Sequence, residues 1–172
     1  MTTSIPFPNP FPVLYEDNHL LVVNKPACIA TQGAAAGEAS VAELAKRYLK
    51  QKYDKPGNVY LGVVSRLDAM VTGALVLART SKAAARLSEQ FRSRTVEKTY
   101  WAVVASNVPD GGGEWVDYLR KNESQHRMVT CDASHSEAQL ARLSYRRLQT
   151  LPGKRQLVEI VLETGRKHQI RV

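Results

Sequence analysis

Cysteine is scarce in this chain. Among 172 residues there are two, Cys28 and Cys131, far apart and without a Cys-x-x-Cys. That argues against a disulfide-stapled secreted fold and fits a reduced, cytoplasmic protein with two plain thiols. Long apolar runs are missing too. No stretch approaches the roughly 18 apolar residues of a membrane helix. The N-terminus has neither the basic start nor the apolar core of a secretory signal. There is no internal repeat and no heptad pattern. His126, Cys131 and His135 match no standard zinc spacing and have no evident fourth ligand, so no metal is expected.

Acid is in short supply as well. Sixteen Asp and Glu face 24 Lys and Arg, a net charge of +8. The deficit is local. From Arg79 to Tyr100 the cations Arg79, Lys82, Arg86, Arg92, Arg94 and Lys98 meet only Glu89 and Glu97. From Arg142 to Arg171 the cations Arg142, Arg146, Arg147, Lys154, Arg155, Arg166, Lys167 and Arg171 meet only Glu159 and Glu163. Basic clusters of this kind suit a polyanion, because each phosphate neutralised releases counterions. A nucleic acid is the expected partner, against the plainer alternative of a solvated charged surface.

The elements follow from local chemistry. Pro6, Pro8, Pro10 and Pro12 make residues 1–12 an extended leader, since proline at alternate positions forbids helix and ladder alike. Whether Phe7 and Phe11 dock on the domain is left open. Val13 to Tyr15 and Leu20 to Asn24 flank a polar turn, as in a hairpin, and Pro26 ends the second strand. Ser40 is placed to cap a helix with Val41, Leu44, Ala45, Tyr48 and Leu49 on one stripe. Leu61 to Val64 and Ala74 to Ala78 read as strands around a special loop. Thr80 or Ser81 caps a second helix, with Ala84, Leu87 and Phe91 inward. Thr99 to Ala105, Gly113 to Leu119, Leu140 to Leu148 and Gln156 to Leu162 are further strands, the last two joined by the turn Leu151-Pro152-Gly153-Lys154. Many strands, two helices and no regular alternation predict an α+β fold on a mainly antiparallel sheet, with one core at this length.

Three segments could carry chemistry. Gly62-Val-Val-Ser-Arg-Leu-Asp68 runs an apolar strand into a carboxylate, in a loop that closes on Gly73. Loops at strand ends often hold catalytic groups, although an isolated Asp there more often makes turn hydrogen bonds. Thr164 is placed to cap a helix from Gly165, with Lys167 and Arg171 on one face; a solvated basic helix is the plainer reading. In Lys98-Thr-Tyr-Trp-Ala102 a period of two sends Tyr100 and Trp101 to opposite faces. One of them could stack a base, although core packing of both is the simpler expectation.

Taken together, these motifs resemble the RluA-like pseudouridine synthases. Val13-Leu-Tyr-Glu-Asp-Asn-His-Leu-Leu-Val-Val-Asn-Lys-Pro26 is similar to the family's first strand pair. Arg66-Leu67-Asp68 with Gly73, followed by a strand and Thr80-Ser-Lys-Ala-Ala84, is similar to its signature loop. Lys98-Thr-Tyr-Trp-Ala102 matches Lys-x-Tyr-x-Ala, and Thr164-Gly-Arg-Lys-His-Gln-Ile-Arg-Val172 its third motif. The resemblance implies a sheet flanked by helices and isomerisation of uridine to pseudouridine in structured RNA, ribosomal or transfer. It implies no cofactor and a monomer, with a catalytic domain over residues 13–172. Asp68 would be the catalytic aspartate, Tyr100 would stack on the uracil, Arg171 would pair with Asp68, Ile170 would lie beneath the base, and Arg66 would contact substrate. The chain departs from the pattern at Ser65, where His is usual, and at Ala69-Met70-Val71-Thr72-Gly73, where Arg-Asp-Thr-Ser-Gly is common. The family also continues past the position of Val172, so the domain is expected to be C-terminally incomplete. A catalytically impaired RNA-binding protein on the same fold is the alternative.

Overall fold

The structure, a computed structural model, describes residues 10–35, 37–105 and 108–172. Pro6, Phe7 and Pro8 of the expected leader lie outside them. The chain is α+β and divides into two compact units at Thr95/Val96. Each unit has its own antiparallel sheet and its own apolar cluster, where length alone led to the expectation of one core. Two open sheets each need one face covered, and that makes two clusters.

In the first unit β1 (Val13–Glu16), β2 (Leu20–Lys25), β3 (Gly62–Val63) and β4 (Gly73–Ala78) lie in the order β1-β2-β4-β3. Helices α1 (Val41–Lys52) and α2 (Ser81–Arg92) belong to the same unit. Alternation along β2 puts Leu21, Val23 and Lys25 on the inner face, all fully buried. Leu75 and Leu77 of β4 join them, and α1 contributes Val41, Ala45 and Leu49. The start of α1 is a capping box. The Ser40 hydroxyl accepts from the Glu43 amide, and the Glu43 carboxylate accepts from the Ser40 amide at 2.8 Å. Phe11 is buried in this core, edge-on to Tyr48, so ordered packing begins before Val13. Thr80 rather than Ser81 caps α2. Ala84, Leu87 and Phe91 are only half-buried, and no residue of α2 is fully buried. A Cβ on Gly62 would sit 2.9 Å from that of Ala84, so glycine lets α2 lie close on β3.

Glu16 ties β1 to α1 and to the end of β4. Its carboxylate accepts from Tyr53 Oη at 2.6 Å, Tyr48 Oη at 2.7 Å, Lys52 Nζ at 2.8 Å and Arg79 at 3.1 Å. Arg79 also donates to the Asp17 carbonyl. Burial pushes the Glu16 carboxyl up, but the hydrogen bonds from Lys52, Tyr53 and Tyr48 outweigh it and hold the group below its ordinary range. Arg79, first in the basic run, therefore serves this internal cluster.

In the second unit β5 (Thr99–Val104), β6 (Gly113–Asn122), β7 (Arg127–Cys131), β8 (Gln139–Leu151) and β9 (Arg155–Leu162) lie in the order β5-β9-β8-β6-β7. Strand β7, Arg-Met-Val-Thr-Cys, was not among the strands expected from the sequence. The turn after Leu151 is as expected, with Gly153 and Lys154 both at positive φ. Val108, Leu143, Val158 and Ile160 form the core, and Trp115 stacks on Tyr145 with ring centroids 4.2 Å apart. Among the described residues no helix is long and apolar enough to cross a membrane.

Candidate active site

Asp68 sits in the loop between β3 and β4, between two residues that are each clamped. On one side Thr31, 3% exposed, grips Leu67 by both backbone groups. Its Oγ1 donates to the Leu67 carbonyl at 2.7 Å and accepts from the Leu67 amide at 3.1 Å. On the other side Lys25, 0% exposed, reaches the Ala69 carbonyl at 2.9 Å. Its ammonium also donates to the carbonyls of Pro26 and Ile29, each at 2.7 Å. All three ammonium donors are thus used. The Asp68 carbonyl accepts from the Val71 amide at 3.0 Å, which closes a turn over Ala69 and Met70. Gly73, at φ +131, then starts β4 in a conformation that side chains disfavour.

The clamps are themselves held. The first amides of α1 donate to the 29–31 segment, Val41 to Ala30 and Ala42 to Thr31. A helix start thus fixes Thr31, and Thr31 fixes Leu67. Burial lowers the Lys25 ammonium's pKa, and its electrostatic interactions with Cys28 and Asp68 work the other way. Asp68 is half-buried; Arg66 and Ala69 are exposed.

In the second unit the 163–172 segment is stapled onto β8. Thr164 Oγ1 accepts from the Arg142 amide at 2.8 Å and donates to Gln169 Oε1 at 2.9 Å. Gln169 Nε2 donates to the Arg142 carbonyl at 3.1 Å, and Arg166 Nε to the Leu140 carbonyl at 2.8 Å. No α-helix begins at Gly165, contrary to the expectation. His168 is left-handed, and only Gln169–Arg171 forms a single 3₁₀ turn. Thr164 is turned to β8 instead of capping, so the helical pairing of Lys167 with Arg171 falls. Arg171 is exposed, and its amide donates to the His168 carbonyl at 2.8 Å. Ile170 packs against the core of this unit and lines a cavity of about 220 Å³ with Val104, Trp115, Leu119 and Leu143.

Tyr100 is half-buried against the same core, while Trp101 is 69% exposed on the opposite face. Core packing of both aromatics is therefore corrected: only Tyr100 packs. Of the expected site residues, Arg66 and Asp68 share one loop of the first unit. Tyr100, Ile170 and Arg171 belong to the second.

The pattern of an RNA pseudouridylate synthase matches residues 19–172. The chain belongs to this family. Ribosomal large subunit pseudouridine synthase C of Rickettsia bellii is 32% identical over 160 residues, 93% of this chain and 51% of that protein. Synthase D of Xylella fastidiosa is 35% identical over 172 residues, 99% of this chain and 50% of that protein. The chain thus spans about half the length of the curated relatives it matches. Human RNA pseudouridylate synthase domain containing 4 superposes with a TM-score of 0.76 at 27% identity, covering 94% of this chain and 62% of that one. These relatives place the chain among RluA-like pseudouridine synthases, as its motifs indicate.

Sequence reasoning missed Lys25, Thr31 and Gln169. Lys25 carried a readable signal: it continues the alternation of Leu21 and Val23, so a charge stood where the core face required an apolar residue. Thr31 and Gln169 carried none, because a polar residue, in the expected loop for Thr31 or the expected basic helix for Gln169, reads as surface until its partner is known.

Proposed function

We propose that this protein isomerises uridine to pseudouridine in RNA, with Asp68 as the catalytic carboxylate. The reaction breaks the N1–C1′ bond, turns the uracil and joins C5 to C1′. The C5 proton leaves, and N1 takes one up. Atoms and oxidation state balance without a second reactant, so the chemistry calls for no cofactor. Asp68 would attack C1′, attack the ring or remove the C2′ proton, and each route needs a fixed carboxylate. The observation that carries the reading is the double clamp, with Leu67 and Ala69 both pinned by buried side chains around Asp68. A group held in place by its neighbours loses little entropy in reaching a reactive geometry.

In this reading Tyr100 stacks on the uracil, Ile170 lies beneath it, Arg171 pairs with Asp68, and Arg66 contacts the RNA. The related synthases are named for the large ribosomal subunit, which makes ribosomal RNA the first substrate to test, before transfer RNA. A soluble cytoplasmic monomer completes the proposal. Tritium release from RNA carrying 5-tritiated uridine tests it. Wild-type protein should release tritium. Asp68→Asn should release none, while its RNA affinity stays within about tenfold, because one neutralised carboxylate leaves the phosphate contacts intact. Turnover by the Asn variant would remove Asp68 from the role. Ser65 and Ala69 at family positions favour a second reading, an RNA binder without activity. Binding without release by the wild type would establish it.

A further inference from the structure

A nucleic acid is held by cations that are free to meet phosphate, and the fold decides where those stand. Each helix of the first unit carries some on its exposed side. On α2 they are Lys82 and Arg86; on α1 they are Lys46, Arg47 and Lys50. The two helices cover opposite faces of the sheet. Alternation along β4 sends Leu75 and Leu77 to one face and Ala78 to the other. Helix α1 packs on the Leu75 and Leu77 face through Val41, Ala45 and Leu49. Helix α2 meets the other face, where Gly62 pairs with Ala78 and lies close to Ala84.

The loop that carries Asp68 belongs to the side of α1. Leu67 packs against the same core cluster as α1. Lys25, on the inner face with Leu21 and Val23, reaches the Ala69 carbonyl at 2.9 Å. Thr31 joins Leu67 to the segment that accepts the first α1 amides, Val41 to Ala30 at 2.9 Å and Ala42 to Thr31 at 3.1 Å. Helix α1 therefore starts beside the Asp68 loop and runs on from it. At about 1.5 Å per residue, Lys46 stands roughly 8 Å and Lys50 roughly 14 Å along the axis from Val41.

These cations are also uncommitted. Among the described residues none of the three enters an ion pair, whereas Lys52 is held by Glu16 and Arg92 by Glu89. Glu43 is the acid of α1, and its carboxylate is engaged by the Ser40 amide and hydroxyl at 2.8 and 2.9 Å. Like charges four residues apart, as at Lys46 and Lys50, weaken a helix. The fold gains nothing from the trio, and a polyanion would relieve it.

We infer that Lys46, Arg47 and Lys50 hold phosphates of the RNA beside the target uridine. This rests on the reading of the protein as a pseudouridine synthase, and it adds where the flank of the substrate lies. The basic face of α2, turned to the other side of the sheet, stays off that flank.

The test compares wild type with two multiple variants, Lys46→Gln with Arg47→Gln and Lys50→Gln on α1, and Lys82→Gln with Arg86→Gln on α2. Glutamine keeps the helix propensity of the residues it replaces, and all five positions are exposed. Filter binding of a ribosomal RNA transcript is followed across about 50–200 mM salt, with tritium release from the same transcript made with 5-tritiated uridine. The α1 variant should lower the slope of log affinity against log salt by about 2–3, near one for each cation removed. Its KM should rise while kcat at saturating RNA is retained, because the contacts bind and do not react. The α2 variant should keep the wild-type slope and affinity. An unchanged slope in the α1 variant, or an equal fall in the α2 variant, overturns the inference while the activity stands. A fall in kcat without a rise in KM overturns it as well. No tritium release by wild type overturns the reading of the activity, and the salt slopes still decide whether α1 carries the RNA.

Discussion

Lys25 holds an unusual position. A fully buried lysine is rare, because removing an ammonium from water costs far more than a single hydrogen bond returns. Three carbonyls within 2.9 Å offset that cost and tie the end of β2 to the turn after Asp68. Lys25→Met would leave those carbonyls without their donor. We expect a loss of about 1–3 kcal/mol in urea unfolding, together with a fall in turnover at saturating RNA, because Ala69 is released. An unchanged kcat in the folded variant would show that the clamp is not needed for chemistry. Tyr100 gives a second test at this scale. Tyr100→Phe keeps the aromatic face and should keep most activity. Tyr100→Leu should lose roughly tenfold or more, in line with stacking worth about 1–3 kcal/mol per base. Equal activity in the two variants would assign Tyr100 to the core alone.

Among the elements, those with strong local grammar were legible. Ser40 marked the start of α1, and the stripe through Val41, Ala45 and Leu49 became its buried face. The turn at Pro152-Gly153 separated β8 from β9. Reading failed where a partner distant in sequence decides. The segment after Thr164 has a capping residue and helical spacing, but the Thr164 hydroxyl finds the Arg142 amide on β8, and that tertiary bond outcompetes the cap. Strand β7 was missed because it is only five residues long, and what defines it is its backbone pairing with β6, from Tyr118 with Cys131 to Asn122 with Arg127. The Glu16 cluster was likewise illegible, since its members are up to 63 residues apart. It is testable as a unit. Glu16→Gln leaves the Arg79 guanidinium, 8% exposed, without its counter-charge and should destabilise the protein by about 3–5 kcal/mol. The pH dependence follows from the direction of the shift. A carboxyl held below its ordinary value contributes stability above the ordinary carboxylate range, and this is lost as pH falls through the lower, folded value. Wild type should therefore lose stability in acid more steeply than Glu16→Gln. Parallel acid curves would show that Glu16 is not the titrating group.

At the scale of the molecule, the four ordered motifs spanned nearly the whole chain, so family and fold class were readable from one sequence. The division into two units was not, because no composition shift or linker marks Thr95. Strand β5 carries one more consequence. Its alternation places Trp101 in solvent on one face of the second sheet, while Trp115, stacked on Tyr145, lies with the core on the other. These are the chain's two tryptophans, so its ultraviolet emission is a two-channel signal. Trp101 should emit at the red edge and yield readily to acrylamide, whereas Trp115 should emit further to the blue and resist it. RNA bound on the Tyr100 face should alter the protected component and leave the quencher-accessible one in place. Loss of acrylamide access on adding RNA would instead put the nucleic acid on the face of Trp101, a result readable in a cuvette without any label.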